Sequence, residues 1–295
     1  MSAPENIRVW HLGGLSFWQL IKRTAVGWRD CQLSAKCAQF AYYSMLALVP
    51  LLILTIAAIA RLPLAGTLVS FERLLRRTLP PDAYELVELQ IQDIHKHSDA
   101  SLVFVALFVF SFGGMRLFVT MGEGLSAVFG AEQPRRWISA QGLSLLLTLG
   151  ILFLLLLALV LLVLGPDLVH WILDALDLQR LEGVSFQAVR LSIVTCALLL
   201  CTSSIYCLMP AVKLPWHWLS PGSVTAVVGW MLLSQGLRLY ATYFGHYNKT
   251  YGALAGVIVL LLWFYLSGAM LLLGGLVNGV IYRATAEEKL AESSS

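Results

Sequence analysis

Between Tyr251 and Tyr282 the chain carries no charged side chain. The hydrocarbon core of a bilayer is about 30 Å thick, and a helix of about 20 apolar residues crosses it. Several other runs are nearly as long. Within lipid every backbone N–H and C=O must be bonded inside its own segment, so such runs fold as helices. The chain therefore reads as an all-α polytopic membrane protein. Its charged residues make up 13% of the sequence, about half the roughly 25% usual in soluble domains. Hydrophobic residues make up 58%, and so few charges could not cover a surface in water. The net charge of +3 is small and lacks the basic stripe of a nucleic-acid binder, so no nucleic-acid partner is expected. The first residues are polar and aromatic, without the compact apolar run and small-residue site of a cleavable signal peptide.

Six spans are expected: Ala38 to Ala60, Leu102 to Met121, Leu143 to Leu164, Ala188 to Met209, Gly222 to Tyr243, and Gly252 to Val280. They form one transmembrane domain over residues 38–284, with a tail at 285–295. No internal repeat is evident, so an inverted-repeat transporter is not indicated. Within residues 1–37, Leu15, Trp18, Ile21, Ala25 and Trp28 recur at helical spacing, flanked by Lys22, Arg23 and Arg29. That pattern suits a helix in the membrane interface, anchored by indoles and basic residues. It equally suits an amphipathic helix packed on the bundle, and the two readings overlap. In the first loop, residues 61–101, Leu64, Leu68, Phe71 and Leu75 fit one amphipathic helix. Asp82 after Pro80-Pro81 can cap a second, lined by Tyr84, Val87, Ile91 and Ile94. A small helical cap is expected there.

With six spans the termini share a side. The basic residues are nearly balanced between the two sides, and Asp and Glu count little in the positive-inside rule. The dense basic N-terminus, with Arg8, Lys22, Arg23, Arg29 and Lys36, favours cytoplasmic termini. The five cysteines, Cys31, Cys37, Cys196, Cys201 and Cys207, include no Cys-x-x-Cys pair. They read as small apolar packing residues.

A charge inside a span costs about 2.5–3.5 kcal/mol at the helix centre on insertion scales, so each is a candidate for function. Arg116 lies about two-thirds along the second span, and Glu123 follows two turns later on the same face. One reading makes Arg116 an anion contact in a cavity, tuned by Glu123. The other has it snorkel to the aqueous surface. Gly113, Gly114, Gly122 and Gly124 surround the pair and permit close helix packing or a loosened helix. Gln235 and Arg238, near the outer end of the fifth span, suit an interfacial anchor or a solute pathway. Asn278, deep in the last span, needs a partner, by default an inter-helix hydrogen bond. Ser203, Ser204 and Tyr206 in the fourth span can line a cavity, although hydroxyls also bond their own helix backbone. Gly252-x-x-x-Gly256 and Gly275-x-x-x-Gly279 suggest tight contacts, within the bundle or between subunits.

His95 and His97, with Asp93 and Asp99, alternate along the chain and do not face one another on a helix. They read as a solvated loop, and no metal site or cofactor is expected. The sequence contains no His-Glu-x-x-His, Gly-x-Ser-x-Gly or Gly-x-x-x-x-Gly-Lys pattern. Nothing assembles a nucleophile with its base, and an enzyme is not the expected reading.

The last third carries Tyr206, Leu208-Met209-Pro210, Pro221-Gly222, Tyr240, and Tyr247-Asn248-Lys249-Thr250-Tyr251-Gly252. Trp263, Tyr265 and Leu273-Gly274 follow. Near the first span stand Phe40-Ala41-Tyr42-Tyr43-Ser44 and Val49-Pro50-Leu51. In order and spacing this resembles the YihY/BrkB family of bacterial inner-membrane proteins, formerly labelled ribonuclease BN-like, from about Trp28 to Tyr282. The resemblance implies six spans, cytoplasmic termini and the bacterial inner membrane. The name BrkB implies a link to serum resistance in pathogens, which is a phenotype and not an activity. The family often carries a glutamate in a Gly-Ala-Glu-x-Asn stretch of the last span. Here Leu276 replaces that acid and Asn278 remains, so proton coupling through that position is not expected. Asn248 or Thr250 can cap the last helix. Tyr247 and Tyr251 suit the interface. Pro50 frees a backbone carbonyl, and a kink there would leave a gap in the bundle.

Taken together, the expected function is transport or export of a small anionic or amphiphilic, lipid-derived solute such as a phosphodiester. The alternative is a non-transporting membrane scaffold in envelope assembly. The partners expected are the phospholipid bilayer and that solute. A second copy is an open option through the glycine faces of the last span.

Overall fold

The computed structural model of the chain describes residues 13–61, 100–131, 137–175, 185–212, 214, 219–244 and 253–293. The expected loop helices, His95, His97, Tyr247, Asn248, Tyr251 and Gly252 lie outside the described residues. So do the side chains of 59–61, 157–175, 185–194, 238, 241–244, 253–255 and 289–293. The described chain is all-helical: α1 (Phe17–Asp30), α2 (Leu33–Arg61), α3 (Ala100–Val128), α4 (Trp137–Ala175), α5 (Ser185–Leu208), α6 (Pro221–Phe244) and α7 (Ala253–Ser293).

Among the described residues four stretches are long and apolar enough to cross a membrane: Leu33–Ala58, Ala100–Val128, Trp137–Leu156 and Gly256–Glu288. Thr195–Leu208 in α5 is a shorter apolar piece. Helices α5 and α6 cover the expected fourth and fifth spans, with some of their side chains outside the described residues. Helix α2 is continuous through Pro50, which is buried. Helix α7 continues past the expected end of the span through Thr285 to Ser293. Ala, Glu, Lys and Leu dominate that extension and favour the helix, and α1 packs beside it.

Helices α2 and α3 run antiparallel, as do α6 and α7, and glycines set how closely they approach. Gly113 faces Ala47 of α2, while the adjacent Gly114 lies against Thr148 of α4. Two neighbouring glycines thus seat two different helices, and α3 stays continuous through them. Gly122 meets Met209, and Gly124 meets Leu272 and Lys36. The start of α2, the ends of α3 and α5, the start of α6 and the far part of α7 therefore gather at one end of the bundle. The larger buried core sits at this end, around Phe40, Phe118, Leu125, Tyr206, Leu272 and Leu276. A smaller cluster of Ala47, Leu54, Ala106, Phe110 and Leu152 lies deeper between α2, α3 and α4. Phe104, Phe108, Leu146 and Phe153 point outward and are exposed, as suits a surface facing acyl chains.

Helix α1 joins the same end. Gln19 accepts a hydrogen bond from the Ser16 N–H at 3.0 Å and holds its first turn. Leu20, Thr24 and Gly27 are buried, with Gly27 against Leu276. Phe17, Trp18, Ile21 and Val26 remain exposed. A two-residue turn, with Gln32 at φ 50°, carries the chain into α2.

Candidate functional site

Two polar arrangements stand between the helices of the bundle, and they differ in how their hydrogen-bonding groups are used. The first is closed. The opening turn of α6, from Ser220 to Ser223, has four backbone positions to account for. Pro221 at the first helical position has no N–H to satisfy. The Gly222 N–H donates to Asn278 Oδ1 at 2.8 Å. The Ser223 N–H donates to Ser220 Oγ at 3.1 Å, and the Ser220 N–H returns to Ser223 Oγ at 3.0 Å. Asn278 Nδ2 then donates to Ser220 Oγ at 2.9 Å. The amide of Asn278 thus ties α7 to the cap of α6. Gly222 lies directly against the Gly274 carbonyl, which leaves no room for a Cβ. Tyr206 Oη donates to the Leu271 carbonyl at 2.6 Å. Gly275 packs on Leu125 and Tyr206, and Gly279 on Val128. Both glycines of that expected motif face inside the bundle, while Gly256 has open space around it.

The second arrangement is open. A cavity of about 440 Å³ lies between α2 and α3, lined by Lys36, Gln39, Tyr42, Tyr43, Arg116, Val119, Thr120 and Glu123, with Ala38 beside them. Its α3 residues, 116, 119, 120 and 123, form one helical face. The predicted pair Arg116 and Glu123 share this cavity with the signature residues Tyr42 and Tyr43. Glu123 takes a different partner from the one its spacing suggests: Lys36 Nζ donates to Glu123 Oε2 at 2.5 Å. The Arg116 guanidinium carbon lies 5.8 Å from the centre of the Tyr43 ring, within reach of a cation–π contact. Among the described residues Arg116 has no carboxylate partner. It sits seven residues inside Glu123, about 10 Å along the helix. Tyr42, Gln39 and Ala38 are exposed, so the cavity is a groove on the flank of the bundle and not a central pore.

The other expected residues are placed elsewhere. Ser204 Oγ donates to the Leu200 carbonyl of its own helix at 2.6 Å, and Ser203 is buried. Gln235 is exposed on α6, away from the groove. Arg238 belongs to α6, with its side chain outside the described residues. Leu276, standing where the family's glutamate is expected, is fully buried against Gly27. No ionisable group stands at that point. Lys36 is the groove residue that sequence reasoning missed as a site residue. Its signal was one cation about two turns before Tyr43, but the α2–α3 register that brings it to Glu123 is set by tertiary packing. Among the described residues no three His, Cys, Asp or Glu gather as metal ligands.

A membrane bundle with a charged lateral groove places the chain among polytopic membrane proteins, and comparison with known families narrows this. Residues 25–295 match the family model described as Virulence factor BrkB. The chain belongs to that family. It is 31% identical over 252 residues to the ribonuclease-like protein YfkH of Bacillus subtilis, covering 84% of this chain and 90% of YfkH. It is 29% identical over 257 residues to a UPF0761 membrane protein of Laribacter hongkongensis, covering 84% of this chain and 58% of the relative. A UPF0761 membrane protein of Nitrosospira multiformis is 24% identical over 256 residues, covering 82% of this chain and 56% of the relative. The chain thus spans little more than half the length of the latter two. No solved structure matches.

Proposed function

We propose that this protein transports a small anionic or amphiphilic, lipid-derived solute, such as a phosphodiester, across the bacterial inner membrane, with both termini in the cytoplasm. The observation that carries this reading is Arg116. Its guanidinium offers five N–H donors in the groove, over the Tyr43 ring and without a carboxylate partner among the described residues. A half-buried cation in a span without a counter-charge is costly, and an anionic group of the solute supplies one. Lys36 and Glu123 form the aqueous mouth of the groove, and their pairing keeps Lys36 from competing for the anion until the solute arrives. The lateral opening past Tyr42 suits a solute with an apolar part, which can stay in lipid while its charged group reaches Arg116.

Flux measured in proteoliposomes across a panel of organic phosphates and lipid-derived anions tests the proposal. Transport of one class by the intact protein, lost in Arg116→Ala and partly kept in Arg116→Lys, is the expected result. Neither flux nor binding across the panel would end the transport reading and turn attention to a scaffold with a co-purifying partner.

A further inference from the structure

A second cavity, of about 460 Å³, lies between α1 and the far part of α7. From α1 it takes Gln19, Lys22, Arg23, Val26 and Asp30, which recur along one side of the helix next to the buried Leu20, Thr24 and Gly27 stripe. From α7 it takes Val280, Arg283 and Glu287. Three cations and two acids thus face one space. Arg23 Nη1 donates to Glu287 Oε2 at 3.0 Å, which neutralises both. Lys22 and Arg283 have no ion pair among the described residues, and Asp30 is the one remaining acid.

The depth of this cavity decides what can fill it. The Lys36–Glu123 pair marks where the apolar core gives way to polar surroundings, and Lys36 stands beside Gly124 at the level of Leu272 of α7. Val280, Arg283 and Glu287 occupy the next turns, where phospholipid headgroups lie. Basic pockets between helices at that level hold anionic headgroups. Helix α1 keeps Trp18, with Phe17 and Ile21, exposed on another flank, and tryptophan settles at headgroup depth.

We infer that this cavity binds the headgroup of an anionic phospholipid from the surrounding leaflet, with Lys22 and Arg283 on its phosphate and Val26 and Val280 toward its acyl chains. Binding there joins α1 to the end of α7 and stands independently of what the Arg116 groove carries.

The test uses the full chain in nanodiscs of phosphatidylcholine with rising phosphatidylglycerol, with native mass spectrometry counting retained lipid. The intact protein retains phosphatidylglycerol in preference to phosphatidylcholine. The double variant Lys22→Gln/Arg283→Gln should bind it roughly 20- to 30-fold more weakly, since each cation near an anionic surface contributes about a fivefold gain. Gly150→Ala, which lines neither cavity and has open space around it, should retain as much as the intact protein. Equal retention by the double variant, or equal retention of phosphatidylcholine by the intact protein, would overturn the inference. A second readout needs no variant. Burial raises the pKa of the Cys31 thiol, while Arg283 pulls it down and Asp30 pushes it up. A phosphate on Arg283 should therefore slow peptide-resolved alkylation of Cys31 as phosphatidylglycerol is added. An alkylation rate that ignores phosphatidylglycerol would count against the inference even if the double variant failed to fold.

Discussion

The α6–α7 seam and the α2–α3 groove both hold polar groups between helices of the bundle, and they use them in opposite ways. At the seam Asn278, Ser220 and Ser223 bond one another and the Gly222 N–H, and glycines bring the backbones together. In the groove Lys36 and Glu123 satisfy each other, and Arg116 lines the open space beside Tyr43 with no carboxylate partner among the described residues. A polar residue in a span is therefore either a fastener or a site, and its partners tell which. Asn278 and Arg116 looked alike as isolated polar residues in apolar runs. Only the helices around them separate the two roles.

That contrast can be broken most forcefully at the seam. Gly274→Leu should prevent folding, because even a Cβ at Gly274 meets the Gly222 carbonyl and the Tyr206 hydroxyl. Size-exclusion chromatography of detergent extracts should show little monodisperse protein. Gly150→Ala, with open space around it, should behave as the unaltered chain. A well-folded Gly274→Leu would deny that the seam is closed.

In the groove the expectation reverses. Arg116→Ala should weaken binding of the transported anion by at least about tenfold, the loss of roughly one charge-assisted hydrogen bond, while melting changes little. Arg116→Lys should keep part of the binding, since it preserves the charge but loses the planar fork. A large loss of stability in Arg116→Ala would make this arginine a fastener too.

Asn278→Ala sharpens the same comparison from the other side. It removes the bonds to Gly222 and Ser220 and should cost about 1–2 kcal/mol of stability, read as a lower melting temperature with solute affinity unchanged per folded molecule. The smallest effect belongs to Lys36→Gln. The pair it breaks is partly exposed, with side-chain exposures of 25% for Lys36 and 55% for Glu123. Stability should change by less than about 1 kcal/mol, but solute binding should lose part of its salt dependence.

Much of this was legible in the sequence, and the reason lies in which physics is local. The apolar runs mark helices because lipid leaves the backbone no other option. Arg116 and Glu123 share a face because seven residues make two turns, and the structure places both in one cavity. What the sequence did not show is cross-helix register. Lys36 reaching Glu123 across 87 positions, Tyr43 lying under Arg116, and Gly222 meeting Gly274 all depend on how far each helix slides along its neighbour. The cavity beside α1 was equally hidden, because Arg283 sits at the end of a run read as a span and tail, while the helix continues to Ser293 and gives α1 a surface to pack on.

The most direct test of the central claim is mass spectrometry of the medium and envelope lipids from three strains. One lacks the protein, one overproduces it, and one overproduces Arg116→Ala at equal abundance in the membrane. The account predicts an anionic solute that accumulates outside only with the unaltered protein. The same accumulation with Arg116→Ala would contradict it, because the groove's cation would then have no part in moving the solute.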